Sequence, residues 1–138
     1  MRPSLKPGLT ASMAYEVPVD RTVPNLLPEA EPFARMPEVL ATGYLVGLVE
    51  WTCMQTLEGH LDEGERTLGV HVDLSHEAPT PPGATLTIEV ELTEIDRRRL
   101  TFVVTARDEV AVVCRGVHQR GVVELERFEA KLAHRVVA

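Results

Sequence analysis

The feature that most constrains this chain is an apolar stretch over residues 37–58, PEVLATGYLVGLVEWTCMQTLE. Apolar side chains occur almost all the way round a helical wheel drawn through it, which is typical of a helix that is buried on most sides. Pro37 with Glu38 in a first turn, and Glu58 followed by Gly59 at the end, are favourable helix boundaries. The stretch is too short and too interrupted by polar residues to span a membrane, which needs about 20 apolar residues. The sequence therefore predicts one long helix at the centre of the fold.

Glu50 is the exception within this helix, because a carboxyl group in apolar surroundings is costly unless it is paired or protonated. Buried acids often mark functional sites. A plainer alternative is a core helix in which Glu50 reaches the rim or an arginine partner. Gly43 and Gly47 lie four residues apart and predict a smooth strip that another backbone or a ligand could approach.

Alternating apolar and polar residues predict five strands around the helix. The clearest covers residues 84–95, where the apolar side chains face inward: Leu86, Ile88, Val90 and Leu92. The other strands are predicted over residues 9–17, 67–75, 99–107 and 110–125, and a short terminal helix over residues 126–135. Residues 1–8 are predicted to be an irregular lead-in. The proline-rich residues 18–37 are predicted to form a working loop or lid, because a stretch of this length inside a compact domain is seldom a linker.

The order of these elements predicts the fold class. The last four strands follow one another through tight turns, which favours an antiparallel sheet. One long helix against a curved antiparallel sheet of about five strands is an α+β arrangement of the hot-dog type. At 138 residues the chain is predicted to be a single domain, residues 1–138. Such a sheet leaves one edge and one flank open, so we expect a two-fold homodimer or a higher oligomer to cover them.

The net charge limits the partners that the sequence predicts, and the cysteines indicate the compartment. The formal net charge of −7 argues against a general nucleic-acid surface, so a polyanionic ligand would need a local basic patch. Cys53 and Cys114 lie within apolar runs without metal-binding spacing, which indicates buried thiols in a reducing compartment. No signal peptide or membrane segment is apparent at the N-terminus, so a cytoplasmic protein is expected.

Three segments carry a resemblance to a known family: PEVLATGYLVGLVEW, LGVHVDLSHEAPTPPG and RGVHQRGVVELERFEAK. Together they resemble the fluoroacetyl-coenzyme A thioesterase family of hot-dog hydrolases, and the resemblance extends from about residue 17 to residue 131. It implies an acyl-CoA thioesterase that acts on a short-chain acyl group, with a fluoroacetyl-type substrate as one option. Coenzyme A (CoA) is then part of the substrate, and no separate cofactor or metal is expected.

The resemblance also implies a catalytic set, which falls on Thr42, Glu50 and His76. Thr42 would position or attack the thioester carbonyl, and His76, with an ordinary pKa near 6.5, would move protons. Glu50 would support His76 or form an acyl-enzyme. Thr42 and Glu50 are eight residues apart, which is about 12 Å along a helix. We therefore hypothesise that one active site draws residues from two subunits.

The family residues that contact the acyl-CoA fall on Gly69 and Arg120. A glycine in a strand permits close approach of a ligand, although a simple β-bulge would use one too. Arginine suits phosphate contacts through its planar fork. The three arginines at residues 97–99 are usually a solvated hairpin end and are a second candidate for a CoA phosphate. His71 and His118, which also lie in predicted strands, are assigned to packing or solvent.

One position departs from the family pattern. The lid phenylalanine that the family places before the central helix corresponds to Met36 here. Methionine is more flexible and lacks an aromatic edge. The resemblance therefore implies the hydrolase class, whereas the change at this position does not support selectivity for a fluorinated acyl group.

Two other functions remain as alternatives. The first is another hot-dog acyl-CoA enzyme, such as an enoyl-CoA hydratase, whose chemistry typically pairs an acid and a histidine within one short motif that is not found here. The second is a non-catalytic acyl-CoA binding module or sensor. A binder has no need of a proton shuttle, so the set of Thr42, Glu50 and His76 favours hydrolysis.

Overall fold

The computed structural model describes residues 1–136. Its strands are β1 (Thr10–Glu16), β2 (Glu65–Leu74), β3 (Thr85–Asp96), β4 (Arg99–Arg107) and β5 (Val112–Glu124). Its helices are α1 (Glu31–Ala34), α2 (Thr42–Leu57) and α3 (Leu125–Ala133), with 3₁₀ turns at Val19–Arg21 and Val23–Asn25. All five strands form one antiparallel sheet of order β1-β3-β4-β5-β2, so β1 and β2 are its edges. The predicted α+β arrangement is confirmed. Within the described part of the chain, no helix has the length and hydropathy needed to cross a membrane.

The core lies between α2 and the concave face of the sheet. The four predicted inward residues of β3 are buried, and the alternate residues of β4 are buried beside them. From the helix side the core receives Leu45, Leu48, Val49, Cys53 and Leu57. The two-residue period of the strands therefore determines which side chains meet the helix.

The central helix begins at Thr42, five residues later than predicted. The Leu40 N–H donates to the Thr80 carbonyl at 2.8 Å, and the Ala41 N–H donates to the Arg21 carbonyl at 3.1 Å. Because neighbouring loops hold the backbone of Leu40 and Ala41 in an extended conformation, the helix does not begin before Thr42. Thr42 consequently occupies the first helical position.

The prediction that this helix is buried on most sides is wrong for the single chain. One side packs on the sheet, whereas Trp51 and Met54 on another side are 51% and 47% exposed. The edge strand β2 also leaves apolar side chains uncovered, since Leu68, Val70 and Val72 are exposed along it. An apolar flank of α2 and the exposed apolar side chains of the edge strand β2 are thus left uncovered.

The pairing of β2 with β5 contains a bulge that matters for the site. Gly69 pairs with Arg120 and His71 pairs with Gln119, so Val70 is the extra residue. Further along this pair, Gly116 has a φ of +149°, and a Cβ there would lie 2.0 Å from the Asp73 carbonyl oxygen, so the glycine permits close approach of β2.

Candidate active site

Thr42 and His76 form a hydrogen-bonded pair at the start of α2. The Thr42 Oγ1 lies 2.7 Å from the His76 Nδ1. His76 follows the end of β2, and both of its neighbours are tied to β5: the Ser75 N–H donates to the Arg115 carbonyl and the Glu77 N–H donates to the Val113 carbonyl. These bonds fix the loop, so the imidazole is held against the helix N-terminus. A hydroxyl next to an imidazole is the pairing that an activated nucleophile or a positioned donor requires.

The second ring nitrogen of His76 is left without a partner by residues 1–136. Its Nε2 is buried and makes no hydrogen bond within residues 1–136. Burial lowers the pKa of His76 below its ordinary value of 6.5, so the ring is neutral at neutral pH and can accept a proton. A small cavity of about 250 Å³ opens beside the pair, lined by apolar residues that include Val23, Val39 and Leu40. An unpartnered buried nitrogen next to a cavity indicates a place for a substrate or for another chain.

Glu50, on the same helix, belongs to a second cluster of side chains that also includes a residue of β5. The Arg120 Nη1 donates to the Glu50 Oε2 at 2.9 Å, and the carboxyl side chain is 38% exposed. Oε1 makes no hydrogen bond to any described residue. A Cβ on Gly69 would lie 2.8 Å from the Glu50 Oε2, so the glycine provides the room that the carboxylate occupies. The plainer alternative for Glu50, a rim position with an arginine partner, describes its contacts within one chain.

Arg120 is buried, with 3% of its surface exposed, and its guanidinium donates hydrogen bonds to other residues of the chain. Its Nε donates to the Thr67 Oγ1 and its Nη2 donates to the Thr67 carbonyl, both at 2.9 Å. Contact between Arg120 and coenzyme A stays a prediction. The bonds to Thr67 and Glu50 indicate a further task, which is to position the Glu50 carboxylate.

His118 completes this network, and sequence analysis missed it. The His118 Nδ1 lies 2.9 Å from the His71 carbonyl oxygen, which can only accept, so Nδ1 carries the proton. The Nε2 lone pair then accepts from the Arg120 Nη1 at 3.2 Å. Burial lowers the pKa of His118, which agrees with a neutral ring. Alternation along β5 places His118 and Arg120 on the same face, and that spacing was the available signal.

Within one chain the predicted residues thus form two clusters. Thr42 and His76 make the first, while Glu50, Gly69 and Arg120 make the second. The predicted support of His76 by Glu50 does not occur within one chain, where the Glu50 carboxylate bonds to Arg120 and His76 bonds to Thr42.

Met36 lies in the turn after α1, where its N–H donates to the Phe33 carbonyl at 3.1 Å. Its side chain is half exposed and does not line the cavity beside His76. A separate groove of about 560 Å³ follows the uncovered flank of α2, past Tyr44, Gly47 and Trp51. The open surface at Gly47 matches the predicted smooth strip, whereas Gly43 is covered by Leu26.

Other reactive groups are poorly suited to catalysis. Burial raises the pKa of the Cys53 thiol to about 12 and that of Cys114 to about 11, so neither is a thiolate at neutral pH. Residues 1–136 contain no group of three or more histidine, cysteine or acidic side chains arranged to hold a metal ion.

Comparisons with known proteins add a family context to this geometry. The family model for FlK, the fluoroacetyl-CoA-specific thioesterase, matches residues 22–126. A fluoroacetyl-CoA thioesterase from Streptantibioticus cattleyicolor is 40% identical over 138 residues, which is all of this chain and 99% of the relative.

Comparison with solved structures identifies the fold. A phenylalanine-to-alanine mutant of the fluoroacetyl-CoA-specific thioesterase, in complex with fluoroacetate and CoA, superimposes with a TM-score of 0.87 at 41% identity, covering 90% of this chain and 99% of that one. A hot-dog-like protein from Thermanaerovibrio acidaminovorans superimposes with a TM-score of 0.82 at 23% identity, covering 96% and 93%. The predicted hot-dog fold is confirmed.

Proposed function

The chain belongs to the fluoroacetyl-CoA-specific thioesterase family of thioester hydrolases, and from that premise we propose that it hydrolyses a short-chain acyl-CoA thioester at a site shared by two subunits. The products are the free acid and coenzyme A. The observation that carries the proposal is the Thr42–His76 pair, whose second imidazole nitrogen makes no hydrogen bond to any residue in the described part of the chain.

In the proposed reaction, His76 accepts a proton from the attacking hydroxyl, either that of water or that of Thr42, and later delivers it to the departing CoA sulfur. Its neutral form at neutral pH suits the first of these steps. If water attacks, the Thr42 hydroxyl holds the imidazole or the thioester carbonyl in place. A carboxylate near His76 would stabilise the charged imidazolium that forms in between.

Glu50 is the candidate for that carboxylate, and we place it in the partner subunit. Arg120 holds Glu50 about 12 Å along the helix from Thr42, whereas the free Oε1 remains available to another chain. The exposed apolar residues on α2 and the open edge of β2 supply a surface that a second copy would cover by two-fold symmetry. A homodimer would therefore bring the two clusters into one site.

The acyl group is proposed to be short, because the cavity beside His76 is small. A fluoroacetyl group is one candidate through the family relation. Selectivity for it would have to arise without an aromatic side chain at Met36, which lies half exposed outside that cavity.

Release of free thiol from a panel of short acyl-CoA esters, together with mass analysis of the products, tests this function. We expect stoichiometric free acid and CoA from at least one short ester. Hydration of an enoyl-CoA without thiol release would assign the chain to the hydratases of this fold. Tight binding of intact esters without turnover would assign it to the binding modules.

The pH dependence of the reaction follows from the burial of His76. The base form is neutral, and it is lost as the pH falls through the folded-state pKa, which lies below 6.5. We therefore expect the acid limb of kcat/KM to have its midpoint below pH 6.5, with activity retained at neutral pH. A pH–rate profile measures this directly, and a kcat/KM without any acid limb would contradict the assignment of His76 as the base.

A further inference from the structure

His118 is a fully buried polar side chain to which the proposed reaction gives no role. Its exposed fraction is 0%, whereas the Glu50 side chain, in the same network, is 38% exposed. A substrate that reaches Glu50 therefore does not touch the imidazole. Any effect of His118 on the reaction has to act through the residue that lies between the two, which is Arg120.

A single nitrogen of Arg120 makes both contacts. The Arg120 Nη1 donates to the Glu50 Oε2 at 2.9 Å and lies 3.2 Å from the His118 Nε2. This nitrogen carries two hydrogens, so the two bonds use both of them. The Nε and Nη2 atoms donate to Thr67 on the other side of the guanidinium. Because the group is planar, a bond that fixes one Nη1 hydrogen on His118 also fixes the direction of the hydrogen that points at Glu50.

The imidazole serves as this acceptor in one protonation state only. Its Nδ1 bonds to the His71 carbonyl, so a neutral ring carries its proton there and keeps a lone pair on Nε2. A second proton would remove the lone pair and place a cation beside Arg120. The titratable groups that face His118 are Arg120 on its own strand, Glu50 on α2 and His71 on β2. Burial lowers the pKa of His118 and outweighs the opposing charge of Glu50, which keeps the acceptor form at neutral pH.

The carboxylate and the imidazole also pack on the same backbone. A Cβ on Gly69 would lie 2.8 Å from the Glu50 Oε2 and 3.3 Å from the His118 Cε1. Neither group therefore has room to move toward β2. With that direction closed, the hydrogen bonds of Arg120 determine where the Glu50 carboxylate points.

We propose that His118 is a positioning residue for thioester hydrolysis, in which its neutral imidazole orients Arg120 and Arg120 in turn directs the Glu50 carboxylate toward the other subunit. The inference rests on the thioesterase function proposed above. Since His118 touches neither the substrate nor the reacting atoms, its loss should slow turnover without weakening substrate binding.

Replacement of His118 by leucine and by glutamine tests the proposal. Leucine removes both hydrogen bonds, and we expect kcat to fall about 30-fold while KM changes less than about threefold. Glutamine can donate to the His71 carbonyl and accept from Arg120, so it should keep kcat within about fivefold of the wild type. Gln119→Leu is the matched control, since Gln119 is the next residue on β5 and bonds to Thr101 instead, and it should keep the wild-type kcat.

Circular dichroism confirms that each variant is folded before its kinetics are compared. A folded His118→Leu variant with kcat within about threefold of the wild type would overturn the proposal. So would a loss of about 30-fold in His118→Gln, which keeps the acceptor and decides the matter even where the leucine variant does not fold.

A double variant separates positioning from a general structural role. If His118 acts through Glu50, adding His118→Leu to Glu50→Gln should lower kcat by less than about twofold further, because the carboxylate to be directed is already lost. A further loss as large as that in the wild-type background would show that His118 acts independently of Glu50, and would overturn the proposal.

Nitrogen NMR of the imidazole rings tests the acceptor state without requiring turnover. The chain has five histidines, and the signals that disappear in His118→Gln are those of His118. We expect a neutral ring with its proton on Nδ1 at neutral pH. A proton on Nε2 or a charged ring would overturn the proposal. If the wild type hydrolyses no ester, the thioesterase function fails, while the spectrum still decides whether His118 accepts from Arg120.

Discussion

A mixture of Thr42→Ala and Glu50→Gln chains is expected to regain about a quarter of the wild-type activity after random reassociation. Each variant alone should lose more than about 100-fold in kcat, because each lacks one part of the proton-transfer apparatus. In a hybrid dimer, one of the two sites combines an intact Thr42–His76 pair with an intact Glu50 from the other subunit. About half of the dimers are hybrids, and each has one working site. Thiol release before and after mixing measures the recovery.

The matched control combines two variants from the same cluster. Thr42 and His76 bond to each other within one chain at 2.7 Å, so Thr42→Ala and His76→Ala chains cannot rebuild an intact pair in any hybrid. We expect this mixture to remain inactive. Recovery in the control, or none in the first mixture, would show that the catalytic residues are distributed between the subunits in some other way.

Replacement of Arg120 by methionine is expected to lower the free energy of unfolding by about 3 kcal/mol and to reduce turnover strongly. The guanidinium satisfies the buried Thr67 carbonyl and the His118 Nε2, and both would lose their partner. Glu50 contributes less to the stability cost because it is 38% exposed and can be hydrated. Its carboxylate would, however, no longer be fixed, which explains the expected loss of activity.

Chemical denaturation and thiol release on the same samples measure both effects. Arg115→Met is the matched control, since Arg115 lies on the same strand but is 63% exposed and forms an ion pair with Glu77. We expect that change to alter stability by no more than about 0.5 kcal/mol. If Arg120→Met unfolds at the wild-type denaturant concentration, the buried network does not contribute the stability that its contacts indicate.

Much of the fold was predictable from local patterns. The alternation of Leu86, Ile88, Val90 and Leu92 identified a strand and its buried face, because a strand repeats every two residues irrespective of what lies beside it. The start of the central helix was wrong by five residues. Pro37 and Glu38 are locally suited to a first turn, but Leu40 and Ala41 bond to Thr80 and Arg21, which local propensity does not include.

The candidate site depended more heavily on the family resemblance. Thr42, Glu50 and His76 were selected by matching segments, since neither a threonine nor a lone histidine identifies a site by itself. His118 had been assigned to packing or solvent, although it shares a face of β5 with Arg120 and bonds to it. His118 bonds to a backbone carbonyl on β2 and to Arg120. The first of these bonds depends on the register of β2 against β5, which local sequence patterns do not give.

By itself the sequence determined the number of strands, the apolar central helix and the residue types available for proton transfer. These properties arise from interactions between near neighbours along the chain, and periodicity records them. Only the tertiary structure decided that Thr42 meets His76, that Glu50 meets Arg120 and that the two pairs lie apart. Such contacts depend on the register of β2 against β5, where the extra residue Val70 sets which side chains face one another, and a slip of one position would reverse them.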